Sequence, residues 1–347
     1  MEHRDIIAKK PFSLKAFFFQ WEWILVLLLV IINIINSSIS PYYMNVGNLL
    51  GATMTFLDKA FIALPVTFVM ILGDIDISVA STAALSSVIM AVSYNGGLPM
   101  ALAMVLCLIV GTACGFINGT LIVRFKELPS AIVTISTQII YRGIAYIILE
   151  NRSSGKFPDW YRELGWGYVG GIPVMLIVFA VFAVIYGLLL HKTTFGRSVY
   201  AIGNNITASR FSGIQVDKIK VTVFTLAGFM SGVTALFLTS RMGSTRPNIA
   251  LNYEIDVIAM VVLGGVSASG GKGRIIGTII SIFVIGLLRY GLGLINVNAQ
   301  IMLIVIGLLL IFAVMISNIQ AKRSALQNRN LKARKADAGT NSETKGI

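Results

Sequence analysis

The stretch Gly73-Asp74-Ile75-Asp76-Ile77-Ser78 sets two carboxylates and a hydroxyl between two long apolar runs. Asp74 and Asp76, two residues apart, would not share a helix face, so the spacing predicts an unwound segment. Within it, Asp76 or Ser78 caps the helix that follows. Carboxylates at such a break can also line a solute pathway, either by hydrogen-bonding a hydroxylated solute or by holding a gate shut. Both readings are open at this point. A second stretch, Gly270-Gly271-Lys272-Gly273, imitates a phosphate-binding loop. The first glycine of GxxxxGK(S/T) would fall on Val266, and Gly273 replaces the Ser or Thr, so the match fails twice. No other segment offers a nucleotide fold. If ATP drives this protein, a separate subunit must carry the ATPase. Cys107 and Cys114 lie seven residues apart in one apolar run, a spacing that suits packing on one helix face rather than a metal or a disulfide framework. His3 falls in the amino-terminal tail, and His191 at the end of an apolar run, where it suits an interface.

The elements that must position these residues are membrane spans. Apolar residues make up 56% of the chain and charged residues only 12%, with a mean hydropathy of +0.82. Soluble domains carry roughly a quarter charged residues. The composition therefore predicts an all-α polytopic membrane protein with about ten transmembrane helices of roughly 20 residues. The net charge of +13 does not point to nucleic acid, because the cations cluster in loops on one side of the spans.

The first span is expected over residues 17–35, retained rather than cleaved, with Trp21 and Trp23 at the interface. The second ends at Leu72, and its start is obscured by the adjacent Asp58 and Lys59. A short interfacial helix over residues 46–56, with the span beginning near Lys59, would keep this pair out of lipid. Further spans are expected over residues 79–93, 99–123, 129–149, 172–190, 221–240, 253–263, 275–294 and 299–319. Residues 150–171 leave the membrane on the outside with Trp160, Tyr161, Trp166 and Tyr168, an aromatic belt. Of the 28 Lys and Arg residues, only Lys59, Arg142, Arg152, Lys156, Arg162, Arg241, Arg246 and Arg289 escape the side assigned to the cytoplasm. Both termini are therefore expected inside. Arg142 and Arg289 are expected to snorkel from the outer ends of their spans. The chain divides into a cytoplasmic segment (1–16), a transmembrane domain (17–319) and a disordered basic tail (320–347).

The longest polar segment between apolar runs is His191 to Lys220. Lys192, Arg197, Arg210, Lys218 and Lys220 stand there against Asp217, which places the segment in the cytoplasm. Asn205 or Thr207 could cap a short helix that runs through Arg210 and ends at Gly213. Such a helix suggests a docking element for a soluble partner, with Ala208 allowing close approach and Arg210 free to pair with a partner carboxylate. A solvated basic loop that only sets topology is the other reading. An internal echo adds to the pattern. The second span ends Ile71-Leu72-Gly73-Asp74 and the eighth Val262-Leu263-Gly264-Gly265, each running into a Gly/Ser-bearing break and another span. Matching interruptions in two halves predict a duplicated core with a pathway at the repeat interface.

Five blocks then carry a family resemblance. GDIDISVAS (73–81), CGFINGTLI (114–122), FGRSVYAIGNN with SRFSGI (195–214), TSRMGSTRP (239–247) and VVLGGVSASGG (261–271) resemble, in order, the ribose-type permeases of bacterial ATP-binding-cassette sugar importers. The resemblance spans residues 45–315. Within the family the look is nearest to rhamnose-type permeases, with those for the furanosyl autoinducer next. The resemblance implies a non-catalytic subunit in the bacterial inner membrane, translocating a small sugar and binding no cofactor, with ATP and Mg on a partner. The implied partners are a second permease subunit, two ATPase subunits and an extracytoplasmic substrate-binding protein. Gly196, Arg197, Gly203, Asn204, Asn205, Ala208, Arg210 and Gly213 would then form the ATPase-coupling element. Asp74, Asp76, Ser78, Asn118, Gly264, Gly265 and Ser267 would border the substrate pathway or gate. Arg152, Lys156, Arg162, Arg241 and Arg246 would form a cationic rim that meets the binding protein. Two positions depart from the family: Asp74 stands where a second glycine is common, and Ala80 where glycine is frequent. A stand-alone secondary transporter is the competing class. It would want ionisable residues deep in the spans, and the chain has few.

Overall fold

The computed structural model describes residues 21–298, 300–312 and 315. The expected amino-terminal segment (1–16) and basic tail (320–347) lie outside the described residues. The apolar runs form helices α1 (Trp21–Ile39), α2 (Val46–Thr53), α3 (Leu57–Ile71), α4 (Val79–Asn95), α5 (Met100–Arg124) and α6 (Ser130–Leu149). After α7 (Asp159–Trp166) come α8 (Val174–Lys192), α9 (Thr194–Asn204), α10 (Ile206–Phe211), α11 (Val216–Met242), α12 (Tyr253–Leu263) and α13 (Ile275–Leu294). Two short antiparallel ribbons sit in the loops, β1 (Ser154–Gly155) with β4 (Ser244–Thr245) and β2 (Tyr168–Val169) with β3 (Ile172–Pro173). Residues to Val297 form one compact unit. A second begins at Asn298, and its described part is α14 (Gln300–Phe312).

The chain is an all-α polytopic membrane protein, but its spans are not uniform. Among the described residues, six helices (α1, α5, α6, α8, α11 and α13) are long and apolar enough to cross a membrane, and α2 with α3 makes a seventh as a pair bent by 55°. The expected third and eighth spans are the shorter helices α4 and α12, of 17 and 11 residues, and α14 is the described part of the expected tenth. Both α4 and α12 are cut short by the breaks that flank them.

Every residue of α3 is buried, so α3 is the axis on which the unit is built. Beside it packs α11, which crosses α5 backbone to backbone. Gly111, Gly115 and Gly119 of α5 meet Gly228, Gly232 and the Val221–Phe224 turn of α11, and a Cβ on Gly111 would lie 2.5 Å from Gly228 O. Without a hydrophobic drive inside lipid, such small-residue seams supply the van der Waals contact that holds helices together. Cys107 and Cys114 are free and buried in the same region, as expected for packing. Residues 150–171 are not simply a surface belt. Tyr161 is fully buried and bonds to Leu236 O and Thr239 Oγ1, while Trp166 Nε1 donates to Arg241 O at 2.9 Å, so α7 caps the end of α11.

Candidate functional site

Both interruptions close with the same backbone device. After α3, Gly73 takes φ +83°; its N–H donates to Met70 O (3.0 Å) and that of Asp74 to Val69 O (3.1 Å). After α12, Gly265 takes φ +84°; its N–H donates to Val262 O (2.9 Å) and that of Val266 to Val261 O (3.3 Å). This is the paired bonding of a Schellman end, and the left-handed residue requires glycine. The structural equivalent of Gly73 is therefore Gly265, one residue later than the sequence alignment with Gly264 implied. Gly264 is instead the close-packing position, its backbone against that of Gly277 and Thr278 in α13. Gly265 lies against the indole of Trp21, whose Nε1 donates to Leu263 O at 2.8 Å. Trp21 thus seals the second break rather than sitting in an interface belt.

The polar side chains of the first break are satisfied from within the protein, as irregular backbone in a membrane bundle must be. Asp76 Oδ1 accepts the Ser78 backbone N–H (2.9 Å) and hydroxyl (2.6 Å), the capping role expected of it. Asn118 Nδ2 donates to Ser78 Oγ at 2.6 Å, and the Tyr141 hydroxyl donates to Asn118 Oδ1 at 2.9 Å. The α6 side chains Ser130 and Thr134 hold Ile75, one accepting from its N–H and the other donating to its carbonyl. Asp76, Ser78 and Asn118 therefore form one buried network. Asp74 points elsewhere and pairs with Lys220 at 2.6 Å. Ser267 closes its own loop, its N–H on Lys272 O and its Oγ accepting from Ser269 N–H.

The two breaks meet each other and α9. A Cβ on Gly270 would lie 2.9 Å from Gly73 Cα and 3.1 Å from Gly203 O. The Gly271 N–H donates to Ile71 O at 2.8 Å, and Gly203 packs directly on that same carbonyl. Tyr200 donates to Gly273 O at 2.6 Å, and burial holds its phenol above the ordinary range, so the donor proton is kept. Asn204 Nδ2 reaches Gly271 O at 3.4 Å. Helix α9 is therefore clamped onto the end of α3 and onto the Gly270–Gly273 loop that follows the second break.

The segment that bears α9 folds as its residues predict. Thr193 Oγ1 accepts the Gly196 N–H at 3.2 Å, and Gly196 packs on Leu190 O, which makes the corner from α8 to α9 tight. Asn205 Oδ1 accepts the Ala208 N–H at 2.9 Å and caps α10, and Gly213 follows with φ +80°. Arg197, Asn204 and Ala208 are exposed. Arg210 is not free, however. It pairs with Asp217 of α11 at 2.8 Å. Sequence reasoning missed Phe211, 90% exposed at the end of α10, with Ile206 exposed beside it. The signal was an aromatic residue in a short helix of a polar segment. Asp74, Lys126, Ser130, Thr207, Arg210 and Lys220 line a cavity of about 670 Å³ at this end.

At the other end of α3 lies an ionic network that the sequence did not reveal. Asp58, with no exposure, pairs with Arg241 at 2.5 Å and accepts from Tyr253 at 3.0 Å. Lys59 and Arg289 both pair with Asp256, at 2.6 and 2.5 Å. Asp58 and Lys59 are thus shielded by partners rather than by an interfacial position. The short helix before them is present as α2. Arg289 does not snorkel, and neither does Arg142, whose guanidinium donates to Pro247 O and Ile249 O at 2.7 Å each. Of the expected cationic rim, Arg152, Lys156, Arg162 and Arg246 are exposed, whereas Arg241 belongs to the buried network. Among the described residues, no group of His, Cys, Asp and Glu could hold a metal ion.

Residues 48–314 match the family described as branched-chain amino acid transport system / permease component. The ribose import permease protein RbsC of Bacillus subtilis (strain 168) is 39% identical over 299 residues, 86% of this chain and 92% of the relative. RbsC of Haemophilus influenzae is 36% identical over 294 residues, 84% and 91% of the two chains. The autoinducer 2 import system permease protein LsrD of Escherichia coli (strain K12) is 34% identical over 315 residues, 89% and 95%. No solved structure matches the chain significantly.

Proposed function

The chain belongs to the permease family described as branched-chain amino acid transport system / permease component, and from that premise we propose that it is the membrane-spanning subunit of an ATP-binding-cassette importer for a small, ribose- or rhamnose-like sugar. Two relatives named for ribose import support the sugar class. It is a transport subunit rather than an enzyme, and ATP and Mg are handled by the partner ATPase. The observation that carries the reading is the clamp of α9 on both breaks, through Gly203 on Ile71 O and Tyr200 on Gly273 O.

In this reading the α9–α10 segment faces the cytoplasm, as do both termini, and receives the ATPase. Ala208, Ile206 and Phe211 supply an apolar contact, and Arg197, Asn204 and Asn205 a polar edge. Arg210 works within the chain, fixing α10 to α11 through Asp217. ATPase closure displaces α9–α10 as a unit. The breaks at Gly73 and Gly265 then change together, because α9 touches both loops. At the outer end, Arg152, Lys156, Arg162 and Arg246 steer an acidic face of the substrate-binding protein. A second permease subunit and two ATPases complete the importer in the bacterial inner membrane.

The test is purification of the chain from its native membranes, followed by sugar uptake in proteoliposomes. The expected result is a co-purifying ATPase and uptake that requires both ATP and the binding protein. A chain that purifies without an ATPase and transports without ATP would overturn the reading.

A further inference from the structure

We propose that the Asp74–Lys220 ion pair is a latch through which the first turns of α11 hold the first break in its closed position. The inference rests on the importer reading above and adds a positioning role for two residues. Lys220 Nζ lies 2.6 Å from Asp74 Oδ2, with side-chain exposures of 14% and 11%. Asp217, three residues earlier and so on the same face of α11, holds Arg210 of α10 at 2.8 Å and Lys126 of the loop between α5 and α6 at 3.3 Å. The first turns of α11 therefore carry two grips. One is on the segment that receives the ATPase, and the other is on the break.

The remainder of the break is tied to different elements. Ile75 is held by α6, and Asp76 and Ser78 belong to the network that reaches Asn118 in α5. Asp74, by contrast, reaches α11 and directly follows Gly73, whose φ of +83° gives the chain a pivot. Both partners also line the cavity of about 670 Å³. A separated pair can therefore rehydrate there, each partner keeping some exposure, whereas Asp58 in its pair with Arg241 has none. The Asp74–Lys220 pair is shielded enough to hold and open enough to release. When α10 moves, Arg210 and Asp217 carry the first turn of α11 with it, Lys220 withdraws, and Asp74 is freed at its glycine pivot.

The test uses the assembled importer in proteoliposomes. Asp74→Asn and Lys220→Gln should each raise ATP hydrolysis in the absence of binding protein several-fold and lower sugar imported per ATP several-fold. The reciprocal exchange Asp74→Lys with Lys220→Asp should recover most of the coupling, which a merely structural role for either residue would not predict. A second measurement needs no charged substitution. With cysteines at both positions, a short, reducible bifunctional thiol reagent should arrest uptake, and reduction should restore it. Wild-type coupling in the single variants, no recovery in a reciprocal exchange that assembles, or full uptake while cross-linked would overturn the latch. ATPase retention is followed in each preparation. Failure of the wild-type chain to retain the ATPase defeats the importer reading, whereas retained ATPase with unaltered coupling in the variants defeats the latch alone.

Discussion

Asp58 carries its charge at a position with no exposure because Arg241, Tyr253 and the Lys59 N–H all meet its carboxylate. A buried pair of this kind contributes little when compared with an apolar replacement, but breaking it leaves an uncompensated charge that costs about 3–5 kcal/mol. Asp58→Asn should therefore lower the thermal stability of the detergent-solubilised protein steeply by orphaning Arg241. The exposed Arg246→Gln should leave it within about 0.5 kcal/mol of wild type. Unfolding curves followed by helix signal read both variants. These residues also show what sequence could not deliver. The Asn205 cap was legible because its acceptor and the Ala208 N–H are three residues apart. The Lys59–Asp256 pair joins residues 197 apart, so no local pattern announces it. Arg142 and Arg289 were misjudged for the same reason: their partners arrive from other elements.

At the scale of elements, interruption and docking are separate devices that meet in α9. The breaks were legible from glycine and aspartate in apolar runs, while their one-residue offset emerged only from the left-handed positions of Gly73 and Gly265. The seam of Gly111, Gly115 and Gly119 on α11 also escaped the reading, since a four-residue glycine spacing names no partner helix. Helix α10 presents Ala208 to solvent, and the neighbouring turns of the bundle do not depend on its side chain. Ala208→Glu should leave folding intact, abolish retention of the ATPase, and so remove uptake and substrate-stimulated hydrolysis together. Pull-down of the ATPase by the variant checks this. Retention with normal uptake would demote the segment to a loop that only sets topology.

At the scale of the molecule, the apolar helices place the β1–β4 ribbon at one end and α9–α10 at the other. In the proposed orientation the cation-rich α9–α10 end faces the cytoplasm. Cysteines introduced at the exposed Ser153 and Asn248 should react with an impermeant thiol reagent in intact cells, and one at the exposed Thr207 only after permeabilisation. Labelling of all three from the same side would overturn that orientation. The central claim is that motion of α9 is transmitted to both breaks, and Gly203→Ala tests it most directly. Its added Cβ would press on Ile71 O and lie 2.6 Å from Gly271 N, levering α9 off both breaks while leaving Ala208 and Phe211 untouched. In the reconstituted importer this variant should retain the ATPase and hydrolyse ATP, yet lose most of its binding-protein-dependent sugar uptake. Wild-type uptake by Gly203→Ala, with the ATPase bound, would contradict the account.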